Sequence, residues 1–142
     1  MDLDGDGVLE WNDSHMLLHN GSWVRYHGNQ GLEWLALERA VEMCEAGGHS
    51  RDIPFQCTSW GLGQLMGFHY RKLGYSSAED MGLKFFSGDE QLGAMVRFIA
   101  CDAGMARAVR NKDWYDFAKR YNGSGQAAHY AGLIEHRYDQ YV

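Results

Sequence analysis

A single proline, three cysteines and no long apolar run set the first limits on this chain of 142 residues. Three cysteines, Cys44, Cys57 and Cys101, leave at least one thiol unpaired, and their spacing matches no metal-ligand pattern. They are expected to be reduced and mostly buried, with a Cys44–Cys57 bridge closing the loop before Ser59 as the open alternative. No stretch approaches the roughly 18 apolar residues of a membrane span, so none is expected. The N-terminus lacks a basic region followed by an apolar core, so no signal peptide is expected either. Positive charge is also short: 13 Lys and Arg stand against 19 Asp and Glu, for a net charge of −6. A nucleic-acid partner would need a basic face, so none is expected, and adhesion to an anionic wall by charge alone is disfavoured. There is no internal repeat, low-complexity tract or linker. What remains is one small domain, expected to be a monomer, over residues 26–142, with residues 1–25 as an appendage of different character.

The hydrophobic pattern is mainly helical. Leu32 to Ala46 places Trp34, Leu37, Val41 and Cys44 on one side, and Gly47–Gly48 stops it. A helix is expected from Trp60 to about Leu73, ended by Gly74. Ser87 with Glu90 forms a capping box before Leu92, Met95, Val96 and Ile99 at helical spacing. Short helices follow at about 104–111 and 113–121, and Tyr130, Leu133, Ile134, Arg137 and Tyr141 mark the last. The stretch between Gly47 and Ser59, with Pro54 between Ile53 and Phe55, is where extended chain or a small hairpin is expected.

Residues 2–13 satisfy the calcium-loop rule. Asp2, Asp4 and Asp6 occupy positions 1, 3 and 5, and Gly7 permits the turn at position 6. Val8 offers its carbonyl at position 7, Leu9 is the apolar eighth position, Glu10 is ninth and Asp13 stands at position 12. Crowded carboxylates repel unless an ion sits among them, so a structural Ca²⁺ held by Asp2, Asp4, Asp6, Val8, Glu10 and Asp13 is expected, with the outgoing helix starting near Trp11. No cofactor is expected for catalysis. His15 and His19 stand at the i, i+4 spacing that suits zinc on a helix, but lack a third ligand and read as exposed helix histidines.

Two segments carry chemistry. Ser59-Trp-Gly-Leu-Gly-Gln64-Leu-Met-Gly67 combines a hydroxyl, an indole, an amide and close-packing glycines, a set suited to one wall of a glycan cleft. Tyr121-Asn122-Gly123 offers a phenol and an amide where a helix ends, whereas Trp114, Tyr115 and Phe117 read as core. These segments stand in an ordered series with Tyr26-His-Gly, Leu37-Glu-Arg-Ala40, Leu73-Gly-Tyr75, Gln91-Leu92, Phe98-Ile99 and Asp113-Trp-Tyr-Asp-Phe-Ala118. From about Tyr26 onward the chain resembles the phage-type N-acetylmuramidase family of endolysin catalytic domains, within the lysozyme-like superfamily.

The resemblance implies a mainly α, lysozyme-like domain with at most a small hairpin, acting on bacterial peptidoglycan. It implies synthesis in the cytoplasm of a bacterial host and action in the periplasm or wall. It also implies that Ser59, Gln64, Tyr121 and Asn122 hold the sugar and that Trp60 walls the cleft. Glycoside cleavage needs a proton donor, and a glutamate serves when a dry wall raises its pKa. Of the four glutamates in helix 32–46, Glu45 falls nearest the azimuth of Trp34 and Val41. It also opens Glu45-Ala-Gly-Gly48, similar to the family's Glu-Ser-Gly-Gly, and precedes Gln64 at a spacing similar to that in lytic transglycosylases. Glu45 is therefore the expected acid. A second alignment matches Leu37-Glu-Arg-Ala40 to the family's own helix of that sequence, and makes Val8-Leu9-Glu10 with His15 a remnant of its Phe-Glu-x-His segment. Three outcomes stay open: hydrolysis, transglycosylation by the substrate's own 6-hydroxyl, and a non-catalytic, calcium-bound wall-binding domain on the same scaffold.

Overall fold

The computed structural model describes residues 16–19, 22–25 and 29–142. The chain divides into two compact units, residues 1–58 and 59–142. The proposed calcium loop, 2–13, lies outside the described residues.

In the first unit, strands β1 (Met16–His19) and β2 (Ser22–Arg25) form an antiparallel hairpin with Leu17 opposite Val24 and Leu18 opposite Trp23. His19 is thus on a strand rather than the expected helix, and His15 lies outside the described residues. Helix α1 (Gln30–Ala46) is N-capped by Asn29, whose side chain accepts from the Leu32 N–H at 3.2 Å. It buries Leu37 and Val41, and Trp34 and Cys44 are half-buried beside them. The expected stop holds: the Gly48 N–H returns to the Glu45 carbonyl, with Gly48 at φ +74°, where a side chain would be strained.

The expected extended stretch before Ser59 is instead helix α2 (Asp52–Cys57), packed on α1. Pro54 sits in its first turn, where the missing N–H costs nothing, so a proline that reads as a breaker is compatible with a helix start. Cys57 and Cys101 are exposed, Cys44 is half-buried, and all three are free; neither the mostly buried thiols nor the Cys44–Cys57 bridge is seen.

In the second unit, β3 (Ser59–Trp60) and β4 (Leu65–Met66) pair antiparallel, Ser59 opposite Met66 and Trp60 opposite Leu65. The helix expected from Trp60 to Leu73 is therefore replaced by a hairpin, a single 3-10 turn at Gly67–His69 and further turns. The reason is local: Gly61 and Gln64 both take left-handed φ, +66° and +48°, which no helix accommodates.

Helices α3 (Ala78–Lys84), α4 (Gly88–Ala100), α5 (Ala103–Asn111), α6 (Trp114–Asn122) and α7 (Ala127–Asp139) complete the unit. The side chains of Ser77, Ser87, Asp102 and Asp113 accept backbone N–H bonds at the starts of α3 to α6. At Ser87 half of the expected box forms. Its hydroxyl meets the Glu90 N–H, while the Glu90 carboxylate turns instead to the Tyr75 hydroxyl at 2.6 Å and to Arg97 at 2.7 Å.

The core gathers Trp60, Leu65, Leu73, Tyr75, Met81, Phe85, Phe98 and Met105, with Ala94, Ala108, Ala118 and Ala127 letting helices approach closely. On α4 the buried stripe is Ala94 and Phe98, and Leu92 and Val96, expected inside, are exposed. The fold is mainly α, with two small hairpins among the described residues.

Candidate functional site

The hairpin tip Gly61-Leu-Gly-Gln64 is held from three directions. Within it, the Ser59 hydroxyl donates to Gln64 Oε1 at 2.9 Å and Gln64 Nε2 donates to the Gly61 carbonyl at 3.0 Å. These bonds offset the left-handed backbone of Gln64, which by itself costs about 1 kcal/mol or more. From α6, the Tyr121 hydroxyl donates to the Gly63 carbonyl at 2.7 Å. From α4, Gln91 Oε1 accepts the Leu62 N–H at 2.8 Å while its Nε2 donates to the Phe85 carbonyl.

Glycine is required at two of these positions for space. A Cβ on Gly63 would lie 2.5 Å from Met95 Cγ and 2.8 Å from the Tyr121 hydroxyl, and one on Gly61 would lie 2.8 Å from the Phe85 ring.

What this leaves for a ligand follows from the bond inventory. A primary amide has two N–H donors and two acceptor lone pairs. The exposed Gln64 spends one of each within the hairpin, so one donor and one acceptor stay open. Ser59 is exposed beside it, and Asn122 is exposed at the end of α6. Tyr121 is half-buried against Phe98 and Phe117, with ring centroids 5.5 Å away in both cases, and burial raises its pKa. Its hydroxyl stays protonated and serves the Gly63 carbonyl.

Trp60 is only 6% exposed, and a Cβ on Gly82 of α3 would lie 2.8 to 3.0 Å from its six-membered ring. The indole fixes the hairpin on α3, and a ring so buried offers little face for stacking on a pyranose. The structure thus brings Ser59, Gln64 and Tyr121 to one hairpin, with Asn122 following Tyr121, and puts Trp60 beneath.

Glu45 stands in the last turn of α1, its side chain 50% exposed and 3.6 Å from Arg51 Nη1, where an apolar wall was expected. Glu42, one turn earlier, pairs with Arg39 at 2.7 Å. Within the second unit, Asp80, Glu90 and Asp102 are held below the usual carboxylate range. For Asp80 and Asp102 the main cause is a backbone N–H, from Ser76 and Met105; for Glu90 it is the Tyr75 hydroxyl, followed by Arg97. Such groups are fixed anions at neutral pH and poor proton donors.

Two features of the site carried no signal of their own in the sequence. Gln91 stood out only inside Gln91-Leu92 of the resemblance, and the recess at Gly82 that receives Trp60 is marked by nothing but a glycine within a helix.

No three side chains able to ligate a metal stand together among the described residues. No helix there is long and apolar enough to cross a membrane.

The fold is that of a lysozyme-like helical domain with a glycine-rich hairpin. The model of the N-acetylmuramidase family matches residues 6–142, and the chain belongs to that family. Among solved structures it is similar to the Burkholderia AP3 phage endolysin, with 34% identity and a TM-score of 0.69. That likeness covers 86% of this chain and 45% of the endolysin, so this chain spans less than half the length of that protein. No curated protein matches it.

Proposed function

We propose that the chain is a peptidoglycan-cleaving glycosidase of the endolysin type, hydrolysing the β-1,4 bond between N-acetylmuramic acid and N-acetylglucosamine. The observation that carries this is the Gln64 amide, pinned by Ser59 and Gly61 with one donor and one acceptor left open. A glycan supplies partners for both: an acetamido carbonyl accepts from Nε2, and a ring hydroxyl donates to Oε1. Ser59 and Asn122 reach ring hydroxyls, and Tyr121 contributes by holding the Gly63 carbonyl. Membership of the N-acetylmuramidase family supports the same substrate class.

Glu45 is the proposed general acid, donating its proton to the leaving glycosidic oxygen. What supports Glu45 is its place at the end of α1, opening Glu45-Ala-Gly-Gly48. Glu10 is the second candidate, because the family match starts at Asp6 and so includes the Val8-Leu9-Glu10 stretch. Water is the proposed nucleophile, activated by a carboxylate such as Asp52.

Lysis of outer-membrane-permeabilised cells, followed as loss of turbidity, tests the acid. Glu45→Gln should lower the rate by at least about a hundredfold with an unchanged circular dichroism spectrum, while Glu42→Gln retains it. An active Glu45→Gln protein together with an inactive Glu10→Gln protein would transfer the role to Glu10. No lysis by the unmodified chain would favour the non-catalytic wall-binding alternative. Mass spectrometry of released muropeptides should show reducing ends; products lighter by one water, about 18 Da, would identify a transglycosylase.

A further inference from the structure

A second feature of the same unit lies at the junction of α6 and α7. Tyr115, Ser124, Gly125, Gln126 and His129, with the methyls of Ala127 and Ala128, line an open cavity of about 540 Å³. That size is within the range of small-ligand sites. Tyr115 precedes Tyr121 by six residues of α6, which at about 100° per residue turns it roughly 240° away. Tyr121 faces the hairpin and bonds Gly63, so the cavity is a place distinct from the hairpin site, and Asn122 and Gly123 join the two in the chain.

The lining has a definite chemistry. Tyr115 is 54% exposed and contributes an aromatic ring, a hydroxyl and an amide stand at Ser124 and Gln126, an imidazole stands at His129, and no Lys, Arg, Asp or Glu takes part. A carboxylate-bearing stem peptide or a phosphate would find no Lys or Arg there, only the N–H groups at the start of α7, and a purely apolar ligand would leave the hydroxyl and amide without partners. A neutral, hydroxyl-rich ring with one apolar face satisfies the whole set, the ring face on Tyr115 and the hydroxyls on Ser124, Gln126 and His129.

We propose that this cavity is a second saccharide subsite, taking an uncharged N-acetylhexosamine unit of a glycan strand apart from the place of cleavage. It rests on the reading of the hairpin as a glycan site only in naming the same polymer. The test titrates chitotetraose into the isotope-labelled chain and follows backbone amides by NMR. Shifts at Gly125, Ala128 and His129 are expected, with Tyr115→Ala weakening that binding about fivefold to tenfold and Tyr115→Phe, which keeps the ring, restoring it. Tyr115 is exposed, so the fold should survive both changes. Shifts confined to residues 59–64 would overturn the subsite and leave the hairpin reading standing. Shifts confined to 124–129 would uphold the subsite and count against the hairpin. Shifts at 124–129 on adding the free tripeptide L-Ala-γ-D-Glu-L-Lys but not chitotetraose would overturn it in favour of the stem peptide.

Discussion

Gln91 is the sharpest place to test how the hairpin is held, because its two ends do opposite work. Oε1 accepts the Leu62 N–H of the hairpin tip, and Nε2 donates to the carbonyl of Phe85, a residue only 5% exposed. In Gln91→Glu the acceptor survives but the donor is replaced by a carboxylate oxygen facing a carbonyl oxygen. Leaving a buried carbonyl unpaired costs about 1–3 kcal/mol, and repulsion adds to it. Protonation restores an O–H donor to the Phe85 carbonyl.

The introduced carboxyl is therefore better protonated in the folded than in the unfolded chain, so its folded pKa lies above the unfolded value of about 4.3. With that sign, the favourable contact is fully present below the unfolded pKa and is lost as pH rises through the folded one. Urea unfolding should show Gln91→Glu destabilised by about 2–3 kcal/mol at pH 7 and by less than about 1 kcal/mol at pH 4, each against the unmodified chain at the same pH. Gln91→Met, which lacks both groups, should lose about 1–3 kcal/mol at either pH and should speed hydrogen exchange at the Leu62 amide. Equal destabilisation of Gln91→Glu at the two pH values, or unchanged Leu62 exchange in Gln91→Met, would refute the two-ended clamp.

Two further expectations follow from other parts of the chain. Gly82→Ala gains about 1 kcal/mol of helix propensity but drives a Cβ to within 2.8 Å of a buried indole, a strain of about 1–3 kcal/mol; the melting temperature should fall, and a rise would show that Trp60 is free to move. If residues 2–13 bind Ca²⁺, the ion should raise thermal stability, and Asp2→Ala with Asp6→Ala should abolish the rise; isothermal titration without heat at millimolar Ca²⁺ would remove the site.

The sequence made most of the helical order legible, and its misses share a cause. Caps and stops are local, so Ser87 and Gly47–Gly48 marked helix ends correctly. The hairpin at Ser59–Met66 was hidden because Gly61, Gly63 and Gln64 form a tip that depends on partners far along the chain: Gln91 on α4 and Tyr121 on α6. Without them, the short apolar run from Leu62 to Met66 reads as readily as helix. Leu92 and Val96 misled for a related reason. Their period is helical, but the face that α4 buries is set by Ala94 and Phe98, and alanine carries little weight in a hydrophobic pattern although it lets helices approach.

The two aromatic residues assigned to the sugar show the same limit. Trp60 and Tyr121 were found by type and motif, and type alone does not separate a ring that touches a ligand from one that shapes the wall behind it. Trp60 packs into a recess that Gly82 opens in α3, which leaves it 6% exposed. Tyr121 directs its hydroxyl to the Gly63 carbonyl. Both residues set the posture of the hairpin, and the groups it presents outward are the small polar ones, Ser59 and Gln64. The posture of Gln64 is then sensitive to substitutions elsewhere, because it holds its left-handed backbone only while Gly61, Gly63, Gln91 and Tyr121 keep the tip in place.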